Sequence, residues 1–393
     1  MKTSKARNES SCLGNMVINP LFAQNKNMSR IPVYEPLLGG NVSAYVNECL
    51  TTGWISSRGA FISRFENAFA QYVGASHATS VANGTVALHL ALDALGIGAG
   101  DEVIVPSFTY IASVNTILQT GATPVYVDSL QDTLQVDPQA IRNAITPKTR
   151  AVMAVHLYGH PCDMDAISTL CRDHDLLLVE DCAEGFGTRW KGQHVGTFGD
   201  VATFSFFGNK TITTGEGGMV LARSADVMDK CRRLKSQGVS PNREYWHDML
   251  AYNYRMTNIQ AAIGLAQLEV AEEIIKRKQQ IAEVYRTRLS GLPLRTHDPI
   301  GDVIHSHWMC SIVVDRTEDR DRLRAHLADN EIETRPFFPL ASHMPHCHSD
   351  QVFPNGDSVS KRGINLPSYP GLTEEQLDRI CSSITGYFEN RSR

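Results

Sequence analysis

Lys210 is the residue of this chain whose surroundings most invite chemistry. It sits in Val201-Ala-Thr-Phe-Ser-Phe-Phe-Gly-Asn-Lys-Thr-Ile-Thr-Thr-Gly-Glu-Gly-Gly-Met-Val-Leu221, with no charged residue nearer in sequence than Asp200 and Glu216. An ammonium in such company is poorly solvated, its pKa is pulled down, and a lysine that loses its proton readily attacks carbonyl carbons. The same stretch also accommodates a lysine that reaches solvent from a tight β-loop-β connection. Upstream, Asp181 and Glu184 fall in Val179-Glu-Asp-Cys-Ala-Glu184 at the end of an apolar run. Asn83-Gly84-Thr85 opens a helix that is apolar nearly all round, so its first turn offers N–H groups and a hydroxyl that suit a phosphate, or an ordinary N-cap. Ser205 lies on the lysine's own strand.

The elements that must position these groups are legible. Helices are expected at 43–50 and 61–72, strands at 102–105, 124–127, 151–156 and 176–180, and helices between them at 112–120, 138–144 and 164–174. Short apolar strands that alternate with helices imply βαβ units and a mainly parallel sheet covered on both faces. Such sheets bind ligands outside the carboxyl ends of their strands, where Ser107-Phe-Thr-Tyr110, His156-Leu-Tyr-Gly159, Asp181, Glu184, Ser205 and Lys210 fall. After Tyr252-Asn-Tyr-Arg-Met256 one long helix is expected to run to about residue 289. Past Leu292-Pro293 a strand at 309–314 and helices at 318–330 and 373–388 read as a small α+β domain. The expected division is a tail at 1–30, a large domain at 31–272 and a small domain at 273–393.

Composition narrows the function. The chain has 393 residues, 42% hydrophobic and 20% charged, enough for a large core and two domains. A net charge of −5 without a basic cluster argues against nucleic acid, and no apolar run is long enough for a membrane span or a secretory signal. A cytoplasmic location is the expectation, and the nine cysteines, scattered without Cys-x-x-Cys spacing, read as free thiols. Ser342-His-Met-Pro-His-Cys-His-Ser-Asp350 is rich in ligand types but matches no zinc spacing, so no metal is expected.

A parallel-sheet enzyme with an isolated lysine, a strand-ending aspartate, a helix start suited to phosphate and a serine beside the lysine fits pyridoxal 5'-phosphate. From residue 31 onward the chain resembles the DegT/DnrJ/EryC1/StrS family of sugar-nucleotide aminotransferases. The motifs are Gly53-Trp-Ile-Ser-Ser-Arg-Gly59, Asn83-Gly-Thr85, Pro106-Ser-Phe-Thr-Tyr110, Val179-Glu-Asp-Cys-Ala-Glu184, Phe204 to Gly218, and Tyr252 to Met256. The resemblance implies an α/β fold of the fold-type-I class, with a mainly parallel central sheet, helices on both faces and a small C-terminal α+β domain.

It also implies roles. Lys210 bonds the cofactor and then serves as acid and base, Asp181 pairs with the pyridine nitrogen, and Glu184 lies near the ring and the reacting amine. Gly84, Thr85 and Ser205 hold the phosphate, Tyr110 covers the ring, and Asn253 reaches the phosphate of a neighbouring subunit, which implies a homodimer with shared sites. Trp54, Ser56, Arg58, His307, Arg335 and Phe337 are the expected nucleotide-sugar contacts. Relatives that dehydrate carry His where Lys210 stands, so dehydration is disfavoured here. The expected reaction moves the amino group of L-glutamate, by way of pyridoxamine phosphate, to C4 of a nucleotide-linked 4-keto-6-deoxy sugar, with GDP-4-keto-6-deoxymannose favoured. Alternatives are a 3- or 4-aminotransferase of a UDP- or dTDP-linked keto sugar, and a non-catalytic protein that binds the cofactor or the sugar nucleotide. Phe186, where many relatives have a small residue, raises the question of an altered pocket floor.

Overall fold

The computed structural model describes residues 30–391, so the expected tail lies, apart from Arg30, outside the described residues. Helices α1 (Val42–Thr52) and α2 (Ala60–Val73) come first. They are followed by β1 (His77–Val81), α3 (Gly84–Ala94), β2 (Glu102–Pro106), α4 (Ile111–Gln119), β3 (Thr123–Val127), α5 (Pro138–Ala144), β4 (Thr149–Val155), α6 (Met164–Asp173) and β5 (Leu177–Asp181). A small hairpin, β6 (Arg189–Trp190) and β7 (Gln193–His194), leads to β8 (Val201–Ser205), β9 (Gly218–Ala222) and α7 (Ala225–Leu234). The remainder is α8 (Asn258–Glu269), α9 (Ala271–Arg288), β10 (Leu294–Thr296), β11 (Val303–Ile304), β12 (Cys310–Val314), α10 (Thr317–Asp329), β13 (Arg335–Pro336), α11 (Pro354–Arg362), β14 (Gly363–Leu366) and α12 (Glu374–Arg391).

The central sheet has seven strands in the order β1-β9-β8-β5-β4-β2-β3. Its pairs are parallel from β8 to β3, and β9 alone runs against both its neighbours. A four-stranded antiparallel sheet, β10-β12-β14-β13, forms a second layer. The single long helix expected after Met256 is two: Val270, with φ −113° and ψ 12°, separates α8 from α9 although no proline or glycine marks the break. Thr257 and Gln260 close a reciprocal cap at the start of α8. Elements β1, α7 and α11 were not expected, and α11 opens on Pro354 at its first turn. Ile31 pairs with Ile332 and packs among Ile281, Ile312 and Ile380, so the chain's first described residues join the core of the small sheet. No helix among the described residues is long and apolar enough to cross a membrane.

Two-residue alternation along the strands decides which side chains reach the site. On β8, Phe204 packs with Phe206 just beyond it in a fully buried cluster with Phe65 and Phe69 of α2, ring centroids 5.0 to 6.0 Å apart. Burial of each ring contributes about 2 to 3 kcal/mol. Ser205, between them, faces α3 instead. A Cβ on Gly84 would lie 2.7 Å from Cβ of Ser205, and one on Gly218 would lie 2.6 Å from the Asn83 carbonyl oxygen. Two glycines therefore let the start of α3 close onto the lysine strand. On β5, Leu178 and Glu180 face one side of the sheet while Val179 and Asp181 face the α3 and α4 side.

Candidate active site

The carboxyl ends of β2, β4, β5 and β8 converge, and the loops beyond them bring Lys210, Asp181 and Glu184 together. Lys210 Nζ stands 3.7 Å from Glu184 Oε1, with the lysine side chain 13% exposed and Glu184 5%. Its ammonium also lies 3.9 Å from the centroid of the Trp308 ring. The lysine backbone is fixed: its N–H donates to the Phe207 carbonyl at 2.9 Å, and its own carbonyl accepts from the Tyr34 hydroxyl at 2.5 Å. Only the side chain is left to move.

Asp181 is buried, and its carboxylate accepts from the Ser113 hydroxyl at 2.7 Å and the Ala183 N–H at 3.0 Å. Burial pushes its carboxyl up, while those two donors and the Lys210 charge pull it back. Glu184 accepts from the Tyr158 N–H at 2.8 Å. Burial pushes Glu184 up to about 7, against the opposing pull of Lys210. Burial lowers the Lys210 ammonium, and Glu184 and then Asp181 hold it up. Lys210 thus faces Glu184, whose own ionisation is costly, so a proton passes readily between the two.

Asn83 caps α3 by accepting from the Val86 N–H at 3.0 Å, leaving the N–H groups of Gly84 and Thr85 without partners inside the helix. With the Ser205 hydroxyl packed against Gly84, this is an anion cradle at the positive end of a helix. The residues present fit pyridoxal phosphate. The cradle would take the phosphate, Asp181 has carboxylate capacity to spare for a protonated ring nitrogen, and Lys210 lies within reach of Glu184. Tyr110, expected over the ring, is 54% exposed and leans on Phe338, ring centroids 5.3 Å apart.

Other expected residues distribute differently. Phe337 is not at the site: it is 2% exposed, with its ring 4.7 Å from Tyr158 and pressed over Gly363. The ring that reaches Tyr110 is its neighbour Phe338, and strand alternation was the signal that could have distinguished the two. His307 is also turned away. It is 7% exposed and stacks on His305 at 3.8 Å, and burial, with help from Lys278, lowers it to about 3. Trp308, the next residue, is the one on the lysine. Trp54, Ser56 and Arg58 lie exposed on the loop before α2, where the Ser56 carbonyl accepts from the Asn258 N–H at 2.7 Å. Arg335 is exposed and paired with Glu333 at 2.5 Å, and Asn253 is exposed on the stretch before α8. Phe186 stacks on Tyr72 and Phe69 at 5.1 and 5.8 Å, so it fills the core under α2 and forms no pocket floor.

His156, Glu180 and Cys182 form the one close group of metal-ligating types among the described residues, and its donors are already committed. His156 Nδ1 accepts from the Cys162 N–H, so Nε2 carries the proton that meets Glu180 Oε2 at 3.1 Å. Glu180 accepts three further bonds, from Gly196, Phe198 and Gly199. Burial holds the Cys182 thiol up at about 12, far from the thiolate a metal needs.

Comparison with known proteins agrees with this geometry. The model of the DegT/DnrJ/EryC1/StrS aminotransferase family matches residues 37–385. A GDP-perosamine synthase of Vibrio cholerae is 55% identical over 363 residues, covering 91% of this chain and 99% of the relative. One of Escherichia coli O157:H7 is 53% identical, covering 93% of this chain and all of the relative. Among solved structures, DesV of S. venezuelae, in complex with a ketimine intermediate, superposes with a TM-score of 0.84 at 34% identity, over 89% of this chain and 94% of that one. A putative sugar aminotransferase of Streptococcus pneumoniae in its PLP form gives a TM-score of 0.87 at 27% identity, over 92% of this chain and 99% of that one. Matched along nearly its whole described length, the chain belongs to the DegT/DnrJ/EryC1/StrS aminotransferase family.

Proposed function

We propose that this aminotransferase moves the amino group of L-glutamate to C4 of GDP-4-keto-6-deoxymannose, forming GDP-perosamine for deoxyamino-sugar and O-antigen synthesis in the cytoplasm. The observation that carries the choice of acceptor is the likeness to two GDP-perosamine synthases over nearly their full lengths. When bound, pyridoxal phosphate supplies the electron sink and the transient carrier of the amino group.

The chain's own residues do the rest. Asp181 would keep the pyridine nitrogen protonated, the start of α3 and Ser205 would hold the phosphate, and Lys210 Nζ would give and take the proton at the carbon next to the amine. Glu184, 3.7 Å away, keeps that Nζ charged between transfers. Arg335, exposed and held by one carboxylate, can exchange that partner for a diphosphate, and Trp54 and Arg58 offer a stacking face and a charge for the nucleotide. The reading includes a homodimer, which is supported by the exposure of Tyr110, Trp54 and Asn253, as expected if a second copy completed each site.

The test is an assay with L-glutamate and a panel of GDP-, UDP- and dTDP-linked 4-keto and 3-keto sugars. Amination of the GDP-linked 4-keto sugar at least about tenfold faster than the others is expected, since a polar mismatch in a built site costs that much or more. A preference for a UDP- or dTDP-linked acceptor would overturn the choice of substrate and leave the transaminase reading standing.

A further inference from the structure

Trp308 is 4% exposed and touches the lysine in two ways. Its indole N–H donates to the carbonyl of Asn209, the residue before Lys210, at 2.8 Å, and its ring face lies 3.9 Å from Lys210 Nζ. The indole also stacks on Tyr158, ring centroids 6.1 Å apart and the two planes 10° apart. Tyr158 returns to the lysine's other partner, since its backbone N–H donates to Glu184 Oε2 at 2.8 Å. To do so it adopts φ 56°, a conformation a bulky side chain rarely takes and one that neighbouring structure must hold in place. Its hydroxyl accepts from the Phe338 N–H at 3.0 Å, which helps to fix it. Trp308 and Glu184 therefore both meet one ammonium, which also feels the charge of Asp181, and Tyr158 touches each of the two.

We infer that Trp308 is a positioning residue: a charge-dependent seat that holds Lys210 against Glu184 while its Nζ carries three protons and lets it go when Nζ is neutral. A ring face attracts a cation through its quadrupole and has no comparable hold on an amine. The two states of the lysine have different tasks. The neutral amine must leave to bond a carbonyl carbon, whereas the ammonium must stay aimed to give up a proton. When Nζ gives a proton to a reacting carbon it becomes the amine and loses the attraction, and when it regains one it is drawn back. This rests on the reading of Lys210 as acid and base, and it adds a role for a residue outside that set.

The seat is tested without cofactor or turnover. An ammonium over an indole quenches its emission, so in the cofactor-free protein the Trp308 fluorescence should rise as Lys210 loses its proton with increasing pH. The signal is taken as wild type minus Trp308→Phe, and the same difference measured on a Lys210→Met background should be flat. A titration that persists with Lys210→Met overturns the proposal, as does a flat wild-type curve. A second readout is the rate at which pyridoxal phosphate binds, which follows the fraction of neutral amine. Trp308→Leu should raise that rate at pH 7 by about threefold to thirtyfold, and Trp308→Phe, which keeps a ring face, should restore it. Equal rates in the Leu and Phe variants overturn the role of the face. Should Trp308→Leu fail to fold, the fluorescence comparison still decides. Failure of the functional reading is distinguishable, because that would appear as amino-group transfer by Lys210→Met itself, whatever the fluorescence does.

Discussion

Two buried lysines of this chain show what separates a reactive amine from a structural one. Lys210 and Lys278 both sit beside an aromatic ring, 3.9 Å from Trp308 and 5.5 Å from Tyr34, and Tyr34 itself donates to the Lys210 carbonyl. Burial lowers both, Lys278 to about 8. Lys278, on α9, is wholly buried and donates to the Ser368 carbonyl at 2.6 Å, which ties α9 to the segment after β14. Lys210 faces two carboxylates at the open end of a parallel sheet and keeps 13% of its side chain exposed. Desolvation is common to the two. Unlike Lys278, Lys210 has charge partners for its proton and a way out for its side chain, so a lowered pKa alone would not have told the two apart.

The sharpest way to break the comparison is to remove each lysine in turn. Lys210→Ala should lower kcat by about 10³- to 10⁴-fold with the circular dichroism spectrum unchanged, whereas Lys278→Met should leave kcat within about threefold. Loss of turnover in both variants, with both folded, would erase the distinction.

Next in size is the partner charge. Glu184→Gln keeps the Tyr158 N–H bond to an oxygen and removes the carboxylate that helps keep Lys210 charged, so kcat should fall by about tenfold to a hundredfold. Burial holds Glu184 up at about 7, and ionised Glu184 is the active form, so wild-type kcat should rise with pH through that region. The limb should vanish in the Gln variant, and an unchanged pH profile would sever Glu184 from the lysine.

The smallest effect concerns stability. The folded protein holds Lys278 at about 8, while the unfolded chain holds a lysine near 10.4. Between those values the unfolded state binds more protons, so wild-type stability should rise with pH across the window, by up to about 3 kcal/mol, and the gain should be absent in Lys278→Met. Denaturant melts at pH 7.5 and 10 measure it. Lys278→Met should also be the more stable protein at pH 7.5, where the wild type still carries the full cost of burying the charge.

The comparison also explains what could be read from the sequence. Lys210 stood out because small and hydroxylated residues surround it along the chain, and Asp181 and Ser205 stood out because they end apolar strands. Both signals are local. Lys278 gave no such signal: it lies among charged residues on α9, in Lys276-Arg-Lys278, and only packing against the segment after β14 buries it. Trp308 was hidden for the same reason. It follows His307 in a strand-edge pattern, and which of the two faces the lysine depends on His307 taking φ 49° and stacking back on His305. Phe337 and Phe338 posed a comparable choice of face. The parallel sheet was legible from its apolar runs, while β1 was missed because His77-Ala-Thr-Ser-Val81 is largely small and polar, and pairing with β9 makes it a strand.

The central claim is that Lys210, and not Lys278, is the amine that bonds the cofactor. The direct measurement is to incubate the protein with pyridoxal phosphate, reduce with borohydride and map the modified peptide by mass spectrometry. The account predicts a single pyridoxyl group on the peptide that contains Lys210, lost in Lys210→Ala and retained in Lys278→Met. Modification of Lys278, or stoichiometric labelling of Lys210→Ala at any other site, would contradict it.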